Sequence, residues 1–267
     1  MVALATSFAV NLASAADVTL CSGRAGGGYD GIIQGTAAEL KKKGYNVTVI
    51  NLGGSEDILN NLADGKCAFG PAQKDIHYLL SKKDSSLSSK VSPAVTMYNE
   101  AIQMVCSSES GYDELSDIKE GDEIIVDVFG SGSALTWENL VAIETEFGNG
   151  SSWSKATPLY SPLDEAPAAI GVGTAKCAIG VGKANIQWMM DGYEQGQTVS
   201  WVYDKDINDL IFNGSSLYQP VKIYSKINSY KVPAFLFKST TVQVDPGIEK
   251  DIKRIVPALG NKVNTIK

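Results

Sequence analysis

The chain has 267 residues, a net charge of −7, 44% hydrophobic residues and 20% charged residues. That length suits one large domain or two lobes of ordinary size, and the composition is that of a soluble globular chain rather than a disordered one. The one tight cationic run, Lys41 to Lys43, ends a predicted helix. Nucleic acid, which is held by clustered Lys and Arg, is therefore not an expected partner. One histidine (His77) and four cysteines without a C-x-x-C spacing give no basis for a metal site.

Met1 to Leu12 are almost all apolar or small, and Ala13-Ser14-Ala15 has the small-x-small form of a signal-peptidase site. The expectation is an exported protein that matures near Ala16. No later stretch has the roughly 18 uninterrupted apolar residues of a membrane-spanning helix.

From there the pattern alternates. Val18 to Ser22 reads as a strand that ends in Gly23-Arg24-Ala25-Gly26-Gly27-Gly28, and Tyr29, Ile32, Ile33, Thr36, Ala37 and Leu40 lie at helical spacing behind it. A strand at Val47 to Ile50 leads into a Gly53-Gly54 turn and a helix with Ser55 at the expected N-cap. A strand around Cys67 to Phe69 and a helix from about Lys74 to Ser81 follow. Two extended runs, Val95 to Met97 and Ile102 to Cys106, have no helix between them, and the crossing to a second lobe is placed there. Ile124 to Val128 then reads as a strand, Phe129 to Ser133 as a Gly/Ser turn and Ala134 to Glu146 as a helix. A strand at Thr157 to Tyr160 and a helix at Leu163 to Gly171 complete the echo.

Lys66-Cys67-Ala68-Phe69-Gly70 and Lys176-Cys177-Ala178-Ile179-Gly180 end the two series in the same order. Lys231 to Lys238 reads as a return strand and Pro246 to Leu259 as a final helix. The expected fold class is α/β with two similar Rossmann-like lobes, a hinge and a central ligand cleft. Lobe 1 takes 16–97 with part of 231–267, and lobe 2 takes 98–230.

In such sheets ligands sit beyond the carboxyl ends of the strands, where glycine turns meet helix N-termini and unpaired N–H groups favour anions. Gly26-Gly27-Gly28, Gly54-Ser55 and Ser131-Gly132-Ser133 supply that feature in both halves. The first of these is not a dinucleotide fingerprint: its order is G-x-x-G-G-G, and the second strand ends in Asn51 rather than an acid. No cofactor is expected. Catalysis is not expected either, since there is no G-x-S-x-G elbow and His77 falls on a helix as a partly exposed residue. Asp127 reads as a strand carboxylate with a structural partner rather than one of an acid pair with Asp75.

Ser22-Gly23-Arg24-Ala25-Gly26-Gly27-Gly28-Tyr29 resembles the opening of the TAXI-type extracytoplasmic receptors of TRAP transport systems. Gly53 to Gly65 is similar to their G-G-S-x-x-N-x-x-x-L-x-x-G stretch, and Gln73-Lys74-Asp75 to their Q-x-D. Leu115 to Gly121 resembles their L-x-D-L-K-G turn and Gly130 to Ser133 their G-S-G-T motif. The likeness runs from about Val18 to Trp188. It implies a type II periplasmic-binding fold, a periplasmic location and a small anionic solute, glutamate-like or a dicarboxylate, delivered to membrane permease subunits. A ligand-sensing module for a membrane signalling partner is the alternative on the same fold.

Carried over, Gly27, Gly28, Tyr29, Gly54, Ser55, Gln73, Asp75, Ser131, Gly132 and Ser133 line the cleft. Arg24 replaces a small Ser, either adding a cation or capping the turn; Asp57 stands where Asn is common; and Lys183, in place of the G-x-P middle residue, is a candidate contact. The implied strand order makes Cys21 and Cys67 neighbours and leaves Cys106 with Cys177; four free thiols in the core are the other outcome.

Overall fold

The computed structural model describes residues 16–184, 186–204, 207, 211–212, 215–224, 227–263 and 266. The expected leader, residues 1–15, lies outside them. The first half runs β1 (Asp17–Ser22), α1 (Gly28–Lys42), β2 (Asn46–Asn51), α2 (Ser55–Ala63), β3 (Phe69–Gln73), α3 (Lys74–Lys83) and α4 (Leu87–Lys90). Then β4 (Val91–Cys106) leads to β5 (Glu123–Ile125), α5 (Gly132–Phe147), β6 (Thr157–Leu159), α6 (Ala166–Gly171), β7 (Cys177–Gly182), α7 (Gln187–Glu194) and β8 (Thr198–Ser200). The chain ends with β9 (Ile211–Phe212), β10 (Ser215–Ser216), β11 (Gln219–Ile223), β12 (Ile227–Ser239) and α8 (Pro246–Val263).

One sheet carries the order β2-β1-β3-β12-β4-β7-β5-β6. Its two ends are parallel, β2-β1-β3 and β7-β5-β6, and β12 and β4 run antiparallel through the middle. Each end is covered on both faces, as buried parallel strands require. In lobe 1, Ile32, Ile33 and Leu40 of α1 pack with Ile248, Ile252 and Val256 of α8 on one face. Ile58, Leu59 and Leu62 of α2 pack with Ile76 and Leu79 of α3 on the other. In lobe 2, α5 supplies Trp137, Leu140 and Ile143 to one face, and α6 and α7 supply Ile170, Trp188 and Met189 to the other. Successive β4 residues divide between the layers as the strand alternation dictates: Ile102, Met104 and Cys106 face one, Val105 the other.

The expected two runs at the crossing are one strand of 16 residues. Its first part pairs with β12 from Val91↔Ser239 to Ala101↔Lys231, and its last part with β7 from Ala101↔Gly182 to Cys106↔Cys177. β12 crosses likewise, pairing with β3 at Ala234–Lys238 and with β11 at Ile227–Lys231. Proline is rare inside a sheet because it removes a ladder donor. Here Pro93 and Pro233 lie beside the two register shifts of the β4–β12 pair, Leu236/Phe237 and Ala234/Phe235, where the ladder is already interrupted.

Other boundaries moved as well. β3 begins after Cys67 rather than at it, and β5 ends before Asp127, which has φ 75, a left-handed backbone conformation outside any strand. His77 is buried, stacked on Phe237 at 4.7 Å with Nε2 3.3 Å from the Val91 carbonyl, where partial exposure was expected.

Disulfides join Cys21 to Cys67 and Cys106 to Cys177, across 46 and 71 positions of chain. Each ties a strand of a lobe to the segment beside it. Closing chain segments of this length restricts the unfolded state most, so replacing both Cys106 and Cys177 by Ala lowers the unfolding free energy by about 2–5 kcal/mol. Urea unfolding of the oxidised parent and the double variant measures this; coincident midpoints would contradict it.

Candidate functional site

Three glycine turns and two strand ends converge where the lobes meet. The Gly23–Gly28 turn is organised by a residue that the sequence reading passed over. Asp30, in the first turn of α1, accepts from Gly26 N–H at 2.9 Å, Ser22 Oγ at 2.9 Å, Asn51 Nδ2 at 2.8 Å and Gln34 Nε2 at 3.2 Å. Asn51 also donates to the Gly23 carbonyl at 2.8 Å. These donors, the Gly26 N–H first, hold the Asp30 carboxyl at about 2, well below the usual range. The α1 N-terminus is thus partly neutralised by its own chain. Gly27 is its N-cap residue and Gly28 its first, packed near the Tyr98 hydroxyl.

The second and third turns face each other. A Cβ on Gly54 would stand 3.1 Å from the Gly130 carbonyl and 3.2 Å from Ser131 Cα, so a side chain there would push the two backbones apart by a few tenths of an ångström. A Cβ on Gly132 would collide with Gln73 Oε1 and lie 3.4 Å from Ser55 Oγ. Ser55 is the first residue of α2, not its N-cap as expected; Gly54 holds that position. The Ser55 side chain is 1% exposed and its Oγ has no hydrogen-bond partner. Ser131 and Ser133 are engaged. Ser131 Oγ caps α5 by accepting from Ala134 N–H at 3.2 Å, and Ser133 Oγ accepts from Val181 N–H at 3.0 Å.

Below the turns lie two buried acids. Asp75 receives Thr136 Oγ1 and the Tyr218 hydroxyl on the same oxygen, Oδ2, each at 2.7 Å, and its Oδ1 has no partner. Asn139 donates to the Tyr218 hydroxyl at 2.8 Å and Gln73 Nε2 to Thr136 at 3.4 Å. Thr136, Asn139 and Tyr218 belong to the second half, so one lobe-1 carboxylate ties the halves together. Glu100 sits on β4, one residue before the shift of partner at Ala101, and receives the Tyr29 hydroxyl at 3.0 Å and that of Tyr98 at 3.3 Å. Burial, reinforced by the nearby Asp75 charge, pushes Glu100 up to about 7; burial raises Asp75 too.

Of the expected residues, the fold therefore gathers Gly54, Ser55, Gln73, Asp75, Ser131, Gly132 and Ser133, with Tyr29 reaching the same floor through Glu100. Arg24 and Lys183 are exposed. The Lys183 carbonyl, not its ammonium, is fixed from within, by Gln103 Nε2 at 3.1 Å. Glu100, Asp30, Thr136 and Tyr218 were missed. Glu100 was legible in part, as a charge inside an otherwise apolar extended run.

Neither a family model nor a curated protein matches this chain. Solved structures do. The ligand-binding core of GluR0 in complex with L-glutamate aligns with a TM-score of 0.57 at 10% identity, over 94% of this chain and 99% of that one. The effector-binding domain of QuiR in complex with shikimate gives 0.53 at 11%, over 94% and 100%. A nutrient-binding protein of Burkholderia cenocepacia bound to methionine gives 0.52 at 13%, over 92% and 94%.

The chain has the type II periplasmic-binding fold. In this binding fold the cleft lies between lobes joined by crossing strands, which is where the residues above meet.

Glu100 makes stability depend on pH. An acid whose pKa is raised in the folded protein keeps its proton where the unfolded chain has lost it, so stability falls as pH rises from about 4.5 to about 7. The full penalty, ~3 kcal/mol for a shift of this size, is present above that window. Asp75 adds a slope of the same sign. Glu100→Gln therefore flattens the decline of melting temperature across pH 4.5 to 7, the interval between the ordinary and raised values. An unchanged slope would contradict the placement of Glu100.

Proposed function

We propose that this protein is an extracytoplasmic solute-binding receptor that closes its lobes on a small carboxylate or amino-acid-like metabolite and delivers it to the permease of a TRAP-type transport system. The reading rests first on one observation. Ser55 Oγ is buried without a partner at the N-terminus of α2, against the Gly130–Gly132 turn that opens α5. A hydroxyl in that position is an unmet donor and acceptor aimed into the junction of two helix N-termini, and such a group is costly unless something else uses it.

The fold supports the coarser part of the reading: its neighbours include proteins solved with glutamate and methionine. The finer part rests on the five ordered motifs between Val18 and Trp188 that resemble TAXI-type receptors. The proposed lobes are 16–97 with part of 231–267, and 98–230, hinged where β4 and β12 cross. Export, with cleavage near Ala15, belongs to the same proposal, and so does a non-enzymatic role. A second reading is a sensing module for a signalling partner, favoured by the likeness to an effector-binding domain.

A thermal-shift screen of small carboxylates and amino acids on the protein identifies a solute, and calorimetry on three variants tests the cleft. Ser55→Ala weakens binding about tenfold to a hundredfold, as loss of a hydrogen bond to a charged group would. It leaves the free protein as stable as the parent, because Ser55 Oγ bonds nothing in the fold. Ser131→Ala instead lowers stability by about 1 kcal/mol through loss of the helix cap, and Ser133→Ala costs the fold its bond to Val181. If all three bind the solute like the parent, the cleft is elsewhere.

A further inference from the structure

The charged groups around the cleft are strongly biased in sign. Asp30 sits on the first turn, Asp57 Oδ2 accepts from Gly53 N–H at 3.1 Å on the second, and Glu56 Oε2 reaches to within 3.1 Å of where a Cβ on Gly130 would stand. Asp75 and Glu100 form the floor, 1% and 8% exposed. No salt bridge among the described residues reaches any of these five acids. Their partners are neutral hydroxyls, amides and backbone N–H groups, which satisfy lone pairs without cancelling charge.

A dicarboxylate entering this space would add negative charge to a floor already short of cations. Moreover, the Gly26 and Gly53 N–H donors that would receive it are already engaged by Asp30 and Asp57. What the floor lacks is a cationic donor. Asp75 Oδ1 is fully buried and takes no side-chain hydrogen bond, with only the Asp75 and Ile76 N–H groups at the start of α3 acting on the carboxylate, while Oδ2 takes two hydroxyls. Ser55 Oγ is open nearby in the same junction, and Gln73 Oε1 lies against Gly132 with its Nε2 already turned to Thr136.

We propose that this cleft selects a solute bearing an ammonium group, an amino acid rather than a dicarboxylate or oxo acid, and that Asp75 Oδ1 is the acceptor for that group, with Ser55 and Gln73 beside it. The inference rests on the solute-receptor reading and narrows it. Burying an ammonium against Asp75 gives a cationic partner to a charge that otherwise has only hydroxyls and the N–H groups of the α3 N-terminus, and such charge-assisted bonds are the strong ones. Arg24, exposed at the rim, remains as a cation for the carboxylate end.

The test uses matched pairs on the full chain: L-glutamate with 2-oxoglutarate and glutarate, L-aspartate with oxaloacetate and succinate, and L-methionine and L-leucine with their 2-oxo acids. Calorimetry and thermal shift read each member. The amine-bearing member of the pair that binds is expected to bind at least about tenfold tighter, and Asp75→Asn to remove that preference. Should Asp75→Asn not fold, Ser55→Ala and Gln73→Leu narrow the same preference. If an oxo acid or dicarboxylate binds as tightly as its amine, or Asp75→Asn keeps the preference, this inference falls while the receptor reading stands. If no member of any pair binds, both fall.

Discussion

Antiparallel pairing of β4 with β12 carries the backbone from one lobe to the other twice, and every group in the cleft takes its position from that pair. Ala101 bonds across to Lys231 on one side and Gly182 on the other, so the strand changes partners there. Glu100 precedes it, and Tyr98 lies two residues back. β3, which ends in Gln73, is laid against β12 in the register Ala234↔Gln73. That register sets where α3 begins, and hence where Asp75 stands. Two strands can flex about their crossing without breaking either flanking core, because those cores are built from separate helices on each side.

The cleft shows what close packing of two lobes costs and how it is met. Asp75 is desolvated by burial between the halves, and Thr136 and Tyr218 from the opposite lobe each give it a hydroxyl. Those bonds hold the halves together without placing a cation against the carboxylate, which is the gap the proposed ammonium would fill. Gly54 lets the start of α2 come into contact with the turn that opens α5, and Gly132 leaves the space that the Gln73 side chain fills. In the proposed receptor, binding and closure are one equilibrium: a solute shifts it only by what it gains in the closed form over the open one.

Much of this fold could be read from sequence because its signals are local. Helical periodicity in α1, α2 and α8, glycine turns before three helices and the repeated Lys-Cys-Ala run all state themselves within short windows. What could not be read depended on register and on distant chain. His77 looked like a partly exposed helix residue, but β12, arriving from residues 227–239, places Phe237 over it. Asp30 and Asn51 came from different elements and gave no motif, though together they hold the first turn. The hydroxyls of Ser131 and Ser133 were expected to be open to solute; one caps its own helix and the other ties β7. Glu100 lay in a strand that seemed interrupted, and only the continuous pairing of β4 brings it under Tyr29.

The claim on which these readings depend is that the two lobes close on a solute at the junction lined by Ser55, Gln73 and Asp75. All four cysteines are paired in disulfides, so new cysteines can carry labels without competition. Spin labels at Asn60→Cys on α2 and Phe129→Cys beside the facing turn, both exposed positions, report the separation by pulsed electron resonance. With a solute that raises the melting temperature, the distance distribution should shift to a shorter and narrower one than in the free protein. The same distribution with and without saturating solute would contradict a clamp.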